Sequence, residues 1–432
     1  MDEMLLHYFW KNRIFSRYHL QTTDNRKLII VDPGFPHRDA GPDFKQAIIK
    51  LDGFTWVGDV EIHVNASDWF RHGHQNDAKY QSLILHVVFL NDVDVGANFP
   101  TLELKDYIAP QLIAEYERLS LSQELLPCRT ELGNITSLQF ASWLSRLMVT
   151  RLERRQEDFF TTLHLCHDSW QEAVFRCLVA NFGFRTNAPA FELLAESIPY
   201  RILLKHKDSR LQIYALFFGQ SGFLDADLPD DNYYQALQSE YSYLRFKYNL
   251  MSIPLKIWNL LRLRPQNFPC IRIAQLCECL YRIPDIIESI ISGEDIAQFS
   301  ALSDFEPHSY WKTHRHFGKE STPSVSTHSA KQGHSCLIGK QTVSLLIINT
   351  VVPIRFSYAS FRGDEALKEK CLALLESMAY EQNAITKQYA IAGFPHETAL
   401  ESQAILELNH HYCVKKRCIQ CEIGNKIITN SC

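Results

Sequence analysis

The spacing of apolar positions changes character along this chain. Over residues 1–20, Met4, Leu5, Tyr8 and Phe9 recur at helical intervals and predict a short helix. Lys27–Val31 is a short apolar run ended by Asp32-Pro33-Gly34, which reads as a strand and its turn. Phe44–Leu51 predicts a second strand, and Asp52-Gly53 joins it to Thr55–Asn65 as a hairpin, because these two residues tolerate the positive φ that a two-residue turn requires. Between Tyr80 and Leu90 the stretch SLILHVVFL is apolar on both faces, the pattern of a strand inside a covered sheet. From about residue 135 the period lengthens. LQFASWLSRLMVTRLERRQEDFF and WQEAVFRCLVANFGF are amphipathic helices, the second stopping near Gly183. Helical segments continue to about 300, punctuated by Pro254, Pro265 and Pro269, and resume from 363 to the C-terminus. No repeat of fixed period is present. The predicted class is α+β: a small mixed β-sheet unit with flanking helices over 1–110, a helical domain over 111–302, a loop or linker over 303–340, and a helical C-terminal region over 341–432.

Composition narrows the function classes. With 432 residues, 46% of them hydrophobic, the chain can fill the cores of two or three domains. A formal net charge of −5 gives no general attraction to nucleic acid or anionic membranes, so a polyanion site requires a local basic surface. Arg151, Arg154 and Arg155, then Arg201, Lys205, His206 and Lys207, then Arg262, Arg264 and Arg272, are the clusters available; solvated helix faces account for each of them more simply. The start MDEMLLHYFWKNR is acidic where a signal peptide is basic, so export is not expected. Leu83–Leu90 and Val343–Ile354 fall short of the roughly 20 residues of a spanning helix, so no membrane partner is expected. Twelve cysteines in such a chain point to a reducing, cytoplasmic location. Walker-type loops, G-x-G-x-x-G and G-x-S-x-G are absent, which removes support from nucleotide-driven and serine-hydrolase chemistry.

The segment GDVEIHVN carries the most chemistry. Successive strand side chains alternate faces, so Asp59, Glu61, His63 and Asn65 share one face and Val60, Ile62 and Val64 the other. Gly41-Pro42-Asp43 opens the partner strand of the hairpin, which places Asp43 beside Glu61. Two carboxylates on adjacent strands form a hard oxygen site suited to Mg²⁺ or Mn²⁺, and without a cation they would repel and raise each other's pKa. A bound ion would polarise a phosphoryl oxygen and acidify a water, with His63 placed to orient or deprotonate that water. The structural alternatives are an Asp43 that caps a turn, a Glu61 paired with Lys45, and a half-buried, hydrogen-bonded His63.

His72, His74 and Asp77 follow Trp69 on a loop. The His-Gly-His spacing supplies ligands for a transition metal, joined by His63 or His86 in a zinc site, or else these residues contact substrate or solvent. His86, inside an apolar strand, reads as a core histidine. Near the C-terminus Cys413, Cys418 and Cys421 are spaced C-x4-C-x2-C, half of a zinc or iron–sulfur site, with His410, His411 or Cys432 as local candidates for the missing ligand. A terminal helix burying Cys418 and Cys421 explains the pair without metal. Cys277 and Cys279, two apart in a helix, face different directions and read as core.

Pro42-Asp43 followed by Glu61-Ile62-His63 resembles the PD-(D/E)xK nuclease superfamily, over roughly residues 1–95, with His63 where the motif has lysine. The resemblance implies a restriction-endonuclease-like core running helix, three strands, helix, strand, with Asp43 and Glu61 as Mg or Mn ligands and Asp43, Glu61 and His63 as the catalytic set. It also implies a helix near Asp77 and Tyr80 bearing polar site residues, and a helical acid at Glu3. Some members join three C-terminal cysteines to a distant upstream cysteine around an iron–sulfur cluster, a place that Cys128 would take. Over the full length, AGPDFKQA, GDVEIHVNASDW, HGHQNDAKY, LILHVV, FFGQSGFL, RLRPQNFPCIRIAQL and CVKKRCIQCEIG identify the chain as a member of the bacterial family of domain of unknown function 2851, which implies no activity. The expectation is a metal-dependent nuclease-like enzyme cleaving phosphodiester bonds in nucleic acid. The alternatives are a non-catalytic binding or scaffold protein, and a zinc-dependent hydrolase of a small substrate.

Overall fold

The computed structural model describes residues 1–430 apart from 38, 97, 185, 229, 284, 293–296 and 321–335. The chain divides into two compact units, one of Met1–Trp143, Lys387–Phe394 and Leu406–Cys432, the other of Leu144–Thr386 and Pro395–Ile405. This division differs from the one drawn on the sequence: residues 111–143 and the cysteine-bearing C-terminus join the N-terminal sheet. Local pattern marks where elements begin and end, but not which core a returning segment enters.

In the first unit, helix α1 (Glu3–Asn12) starts at Asp2, whose carboxylate accepts the Leu5 N–H at 2.8 Å, and ends at Arg13 in the left-handed region. Its buried stripe is Leu5, Leu6, Phe9 and Trp10; Met4 is exposed, one residue off the expected stripe. The strands are β1 (Leu28–Asp32), β2 (Phe35–Pro36), β3 (Phe44–Leu51), β4 (Phe54–Asn65), β5 (Leu83–Leu90) and β6 (Thr101–Glu103), in the order β1-β3-β4-β5-β6 with β2 beside the start of β3. Asp52 and Gly53, at φ 50° and 90°, make the tight turn between β3 and β4. β3 is antiparallel to both neighbours, whereas β4, β5 and β6 run parallel. The β4–β5 crossover is short, made of helix α2 (Asp68–Arg71) and two 3-10 turns. That crossover carries His72, His74, Asp77 and Tyr80 to the edge of β4. Helix α3 (Pro110–Leu121) and the C-terminal helix Glu422–Asn430 pack together, and Leu119, Ile423 and Ile427 on them are buried.

Gly58 is where β4 meets β5 most closely. A Cβ there would lie 2.3 Å from Ile84 Cγ2 and 2.6 Å from the Ser82 carbonyl oxygen. Gly58→Ala is expected to destabilise the first unit by about 1–3 kcal/mol through overpacking. Denaturant unfolding of the two proteins checks this, and an unchanged midpoint contradicts it.

The second unit is helical, and its sequence reading needs two corrections. Val343–Ile354 lies within one continuous helix, Lys340–Arg362, with a π turn at Ile347–Val351. Pro353 denies the Asn349 carbonyl its helical N–H; the Arg155 guanidinium (3.1 Å) and the Asn181 amide (3.4 Å) satisfy it instead. This helix is long and apolar enough to cross a membrane by length and composition, and 72% of its apolar window is buried. Within the expected loop over 303–340, His314–His316 and Lys319–Glu320 pair as a small hairpin, and Trp311 and Phe317 stack and pack on Phe218. Residues 321–335 of that stretch lie outside the described residues. Single members of two of the basic clusters are committed to structure: Arg151 bonds Gln403 and Asn349, and Arg272 is buried on Gln275 and Asn267, while Arg262 and Arg264 are exposed. Cys277 and Cys279 are fully buried.

Candidate metal centre

Strand pleating sets Asp59, Glu61 and His63 on one face of β4, and every one of the three is buried. Asp59 belongs to the scaffold. Lys45 binds it at 2.8 Å, and the Ser82 hydroxyl and Gln46 N–H donate to it; although burial opposes ionisation, these bonds hold its pKa low. Lys45 is therefore spent on Asp59 and does not pair with Glu61, as one sequence alternative had it.

Glu61 instead meets Asp43. The Asp43 N–H donates to Glu61 Oε2 at 3.1 Å, and the Ile62 N–H donates to Asp43 Oδ2 at 3.0 Å. The two carboxylates thus converge through a register shift between Phe44 and Ala47, without which the Asp52-Gly53 turn would set Phe44 opposite Glu61. Burial, then the Asp43 charge, push the Glu61 pKa up to about 9, so in the metal-free chain it is a neutral acid at pH 7. Its other oxygen, Oε1, lies 3.2 Å from His74 Nε2 and 3.6 Å from His63 Nε2.

Three imidazoles close the far side. One ring nitrogen each from His63, His72 and His74 lie within 4.8 Å of one another, with His63 buried, His74 half-buried and His72 exposed. Zinc-bound nitrogens sit at 2.0–2.1 Å from the ion and hence about 3.4 Å apart, closer than the 4.8 Å within which these three nitrogens lie. His63 Nδ1 is 2.9 Å from His86 Nε2 on β5, a contact that fixes the His63 ring and leaves its Nε2 directed at the cluster. His63 Nε2 and His74 Nε2 are buried without a hydrogen-bond partner, as ligand atoms of an ion would be. Burial, then His86, His74 and His72, depress the His63 pKa to about 2; burial and His74 depress His86 to about 4. Both rings are neutral at pH 7, the form that binds metal.

Trp69 walls the cluster, its ring centroid 5.3 Å from that of His74 and 5.6 Å from that of Tyr80. The Tyr80 ring lies 4.1 Å from that of His74, tilted by 35°, and burial, then the charges of Glu61 and Asp43, raise its pKa. Asp77 accepts the Lys79 N–H at 2.9 Å and caps a turn at the rim. Glu3 reaches the site through His7, which lies 3.8 Å from Glu3 Oε1 and 3.3 Å from Asp43 Oδ2. Burial opposes protonation of His7, but the Asp43 hydrogen bond and charge outweigh it and raise its pKa. His7 is the site residue that the sequence reading missed; its one signal was the i, i+4 spacing from Glu3 on α1.

The expected oxygen pair and the expected histidine set are one site, with Glu61 between them. Its mixed nitrogen and oxygen donors fit Zn²⁺, Mn²⁺ or Fe²⁺ better than Mg²⁺, which prefers an all-oxygen shell. The family described as "Protein of unknown function (DUF2851)" matches residues 3–384. Neither a curated protein nor a solved structure matches the chain.

Proposed function

The chain belongs to the DUF2851 family, and we propose that its N-terminal unit is a metal-dependent phosphodiesterase of nuclease-like type. The observation that carries this reading is the convergence of Asp43 and Glu61 from adjacent strands onto His63, His72 and His74. With the two-residue β2 set aside, the order α1, β1, β3, β4, α2, β5 follows the helix, three strands, helix, strand order that the resemblance implies, with Asp43 just before β3 and Glu61 inside β4.

In this reading His63, His74 and the Glu61 carboxylate hold a divalent transition metal, and His72 completes the set from the solvent side. When bound, the metal polarises the phosphoryl oxygen and acidifies a water. Asp43, pinned by the Ile62 N–H and neighboured by His7, takes the proton of the attacking water and passes it toward solvent. Trp69 and Phe99 shield the inner side of the histidines, so solvent and substrate approach past His72. His63 serves as a ligand here, a role different from that of the motif's lysine, which is a fixed charge.

The test is cleavage of single- and double-stranded DNA, RNA and bis(p-nitrophenyl) phosphate by metal-stripped protein given Zn²⁺, Mn²⁺ or Mg²⁺ in turn. Cleavage restored by Zn²⁺ or Mn²⁺ above the Mg²⁺ level is expected. Cleavage of the small diester alone would move the reading to a small-substrate hydrolase, and no cleavage with any ion would overturn it.

A further inference from the structure

A second feature lies near the Asp52-Gly53 turn, and its case does not use the metal site. The strand register lines up two rows of side chains: Ile30 faces Ile49 and Ile49 faces Trp56, while Leu28 faces Leu51 and Leu51 faces Phe54. Facing residues of antiparallel strands point to the same side, and so do residues two apart in a strand, so both rows belong to one face of the sheet. The inner members, Leu28, Ile30, Ile49 and Leu51, are buried. The outermost members are not: Trp56 is 48% exposed and Phe54 75%. Two rows of the core thus run out onto uncovered aromatics at the border of the sheet.

That border is open. β5 pairs with β4 only from Asp59 onward, and among the described residues no strand or bridge lies beside Phe54–Val57 on that side. Phe54, Thr55, Trp56 and Val57 are all exposed, so both faces of this short edge are free as well. The segment Gly53-Phe54-Thr55-Trp56-Val57-Gly58 carries neither charge nor proline, and its aromatic and β-branched residues are strong strand formers. Edge strands that stay unpaired are ordinarily blunted by a charge, a proline or a bulge. An edge without these devices is a template for another strand, which supplies the missing backbone partners.

The residues of the edge select which strand. A second copy of Phe54–Val57, laid antiparallel about a two-fold axis at Thr55, sets Phe54 opposite Trp56 twice over and Thr55 opposite Thr55. Aromatic–aromatic and Thr–Thr pairs are among the favourable cross-strand combinations. Each interrupted row is then completed by the other: Ile30, Ile49 and Trp56 continue into Phe54, Leu51 and Leu28 of the second copy. Like charges do not meet, because Asp52 falls opposite Gly58 and Lys50, which faces Thr55 from β3, stands one strand back from the axis. We propose that Phe54–Val57 is a dimerisation edge, at which a second copy of this chain joins about Thr55 and continues the sheet. The contact uses the same patch on both copies and closes on itself, so it stops at two chains.

The experiment is sedimentation velocity of the full chain over a dilution series, beside Thr55→Lys, with cross-linking of Thr55→Cys under mild oxidation. A reversible two-chain species is expected in the wild type. Thr55→Lys sets two ammonium groups against each other at the axis and should weaken association by about tenfold or more. Thr55 is exposed, so the folded chain should melt as the wild type does. Facing residues of an antiparallel pair have Cα atoms about 4.5–5.5 Å apart, within disulfide reach, so Thr55→Cys should give a covalent dimer. Lys50→Cys, whose two copies would stand three strand spacings or about 14 Å apart, should not exceed the wild type. A wild type that stays a single chain at the highest soluble concentration overturns the second copy as occupant and leaves the edge to a strand of another protein. A dimer that Thr55→Lys leaves at full strength, or that Thr55→Cys cross-links no better than Lys50→Cys, overturns this edge as its interface. If Thr55→Lys does not fold, the comparison of the two cysteine variants decides.

Discussion

Glu61→Gln is expected to slow metal-stimulated phosphodiester cleavage by about 10²–10⁴-fold while leaving the fold intact. The fold should survive because the metal-free Glu61 is already a neutral acid, with its pKa pushed up to about 9, and Gln reproduces its size and neutrality. The amide oxygen can still accept the Asp43 N–H now bound at 3.1 Å. What Gln cannot supply is a negative charge between Asp43 and the imidazoles of His63 and His74, and that charge is what a divalent ion would draw out. Initial rates at saturating metal, with circular-dichroism melting as the control, measure both halves. Equal rates for the two proteins would remove Glu61 from the chemistry, and a variant that fails to melt cooperatively would mean that Glu61 has a structural role.

The second large effect is on the stability of the metal-free chain against pH. Glu61 has a raised folded pKa, so its contribution is fully present below the unfolded value near 4.5 and is lost as pH rises through about 9. His63 and His86 have folded pKa values depressed to about 2 and about 4; they stay neutral in the folded chain while the unfolded chain takes up protons below about 6.5. Their contribution is present above 6.5 and lost as pH falls. With two histidines acting against one glutamate below 6.5 and the glutamate alone above it, the first unit should be most stable near pH 6.5, and its melting temperature should fall by about 4 °C or more toward pH 4 and toward pH 9.5. Saturating Zn²⁺ or Mn²⁺ should abolish the alkaline decline, because the bound ion takes Glu61 in its charged form. Glu61→Gln should lose the same decline without metal. Melting across pH 4 to 9.5 in chelator and in metal checks this, and a decline that persists unchanged in Glu61→Gln assigns it to other groups.

That Asp43 and Glu61 lie on neighbouring strands was legible from the Asp52-Gly53 hairpin, but their facing each other was not, because it depends on a register shift between Phe44 and Ala47 that the turn does not set. His72 and His74 were legible as donors but not as partners of Glu61. Their position depends on the short crossover that makes β5 parallel to β4, a long-range pairing with no local signature. His7 was missed for a related reason: a histidine on an amphipathic helix shows its chemistry only once the helix is seated against β4. Pro353 inside Lys340–Arg362 and the return of the C-terminus to the first unit were equally hidden, since each rests on distant partners.

The sequence alone determined which donor types this chain can offer and, through helical and strand periods and turn residues, the two hairpin strands that carry Asp43, Glu61 and His63. Tertiary structure decided which donors meet. Glu61 stands between Asp43 and the histidines His63 and His74, two groups of donors that had read as rivals. The physical reason is that local periodicity follows from backbone geometry over a few residues, whereas ligand convergence depends on packing between segments distant in the chain.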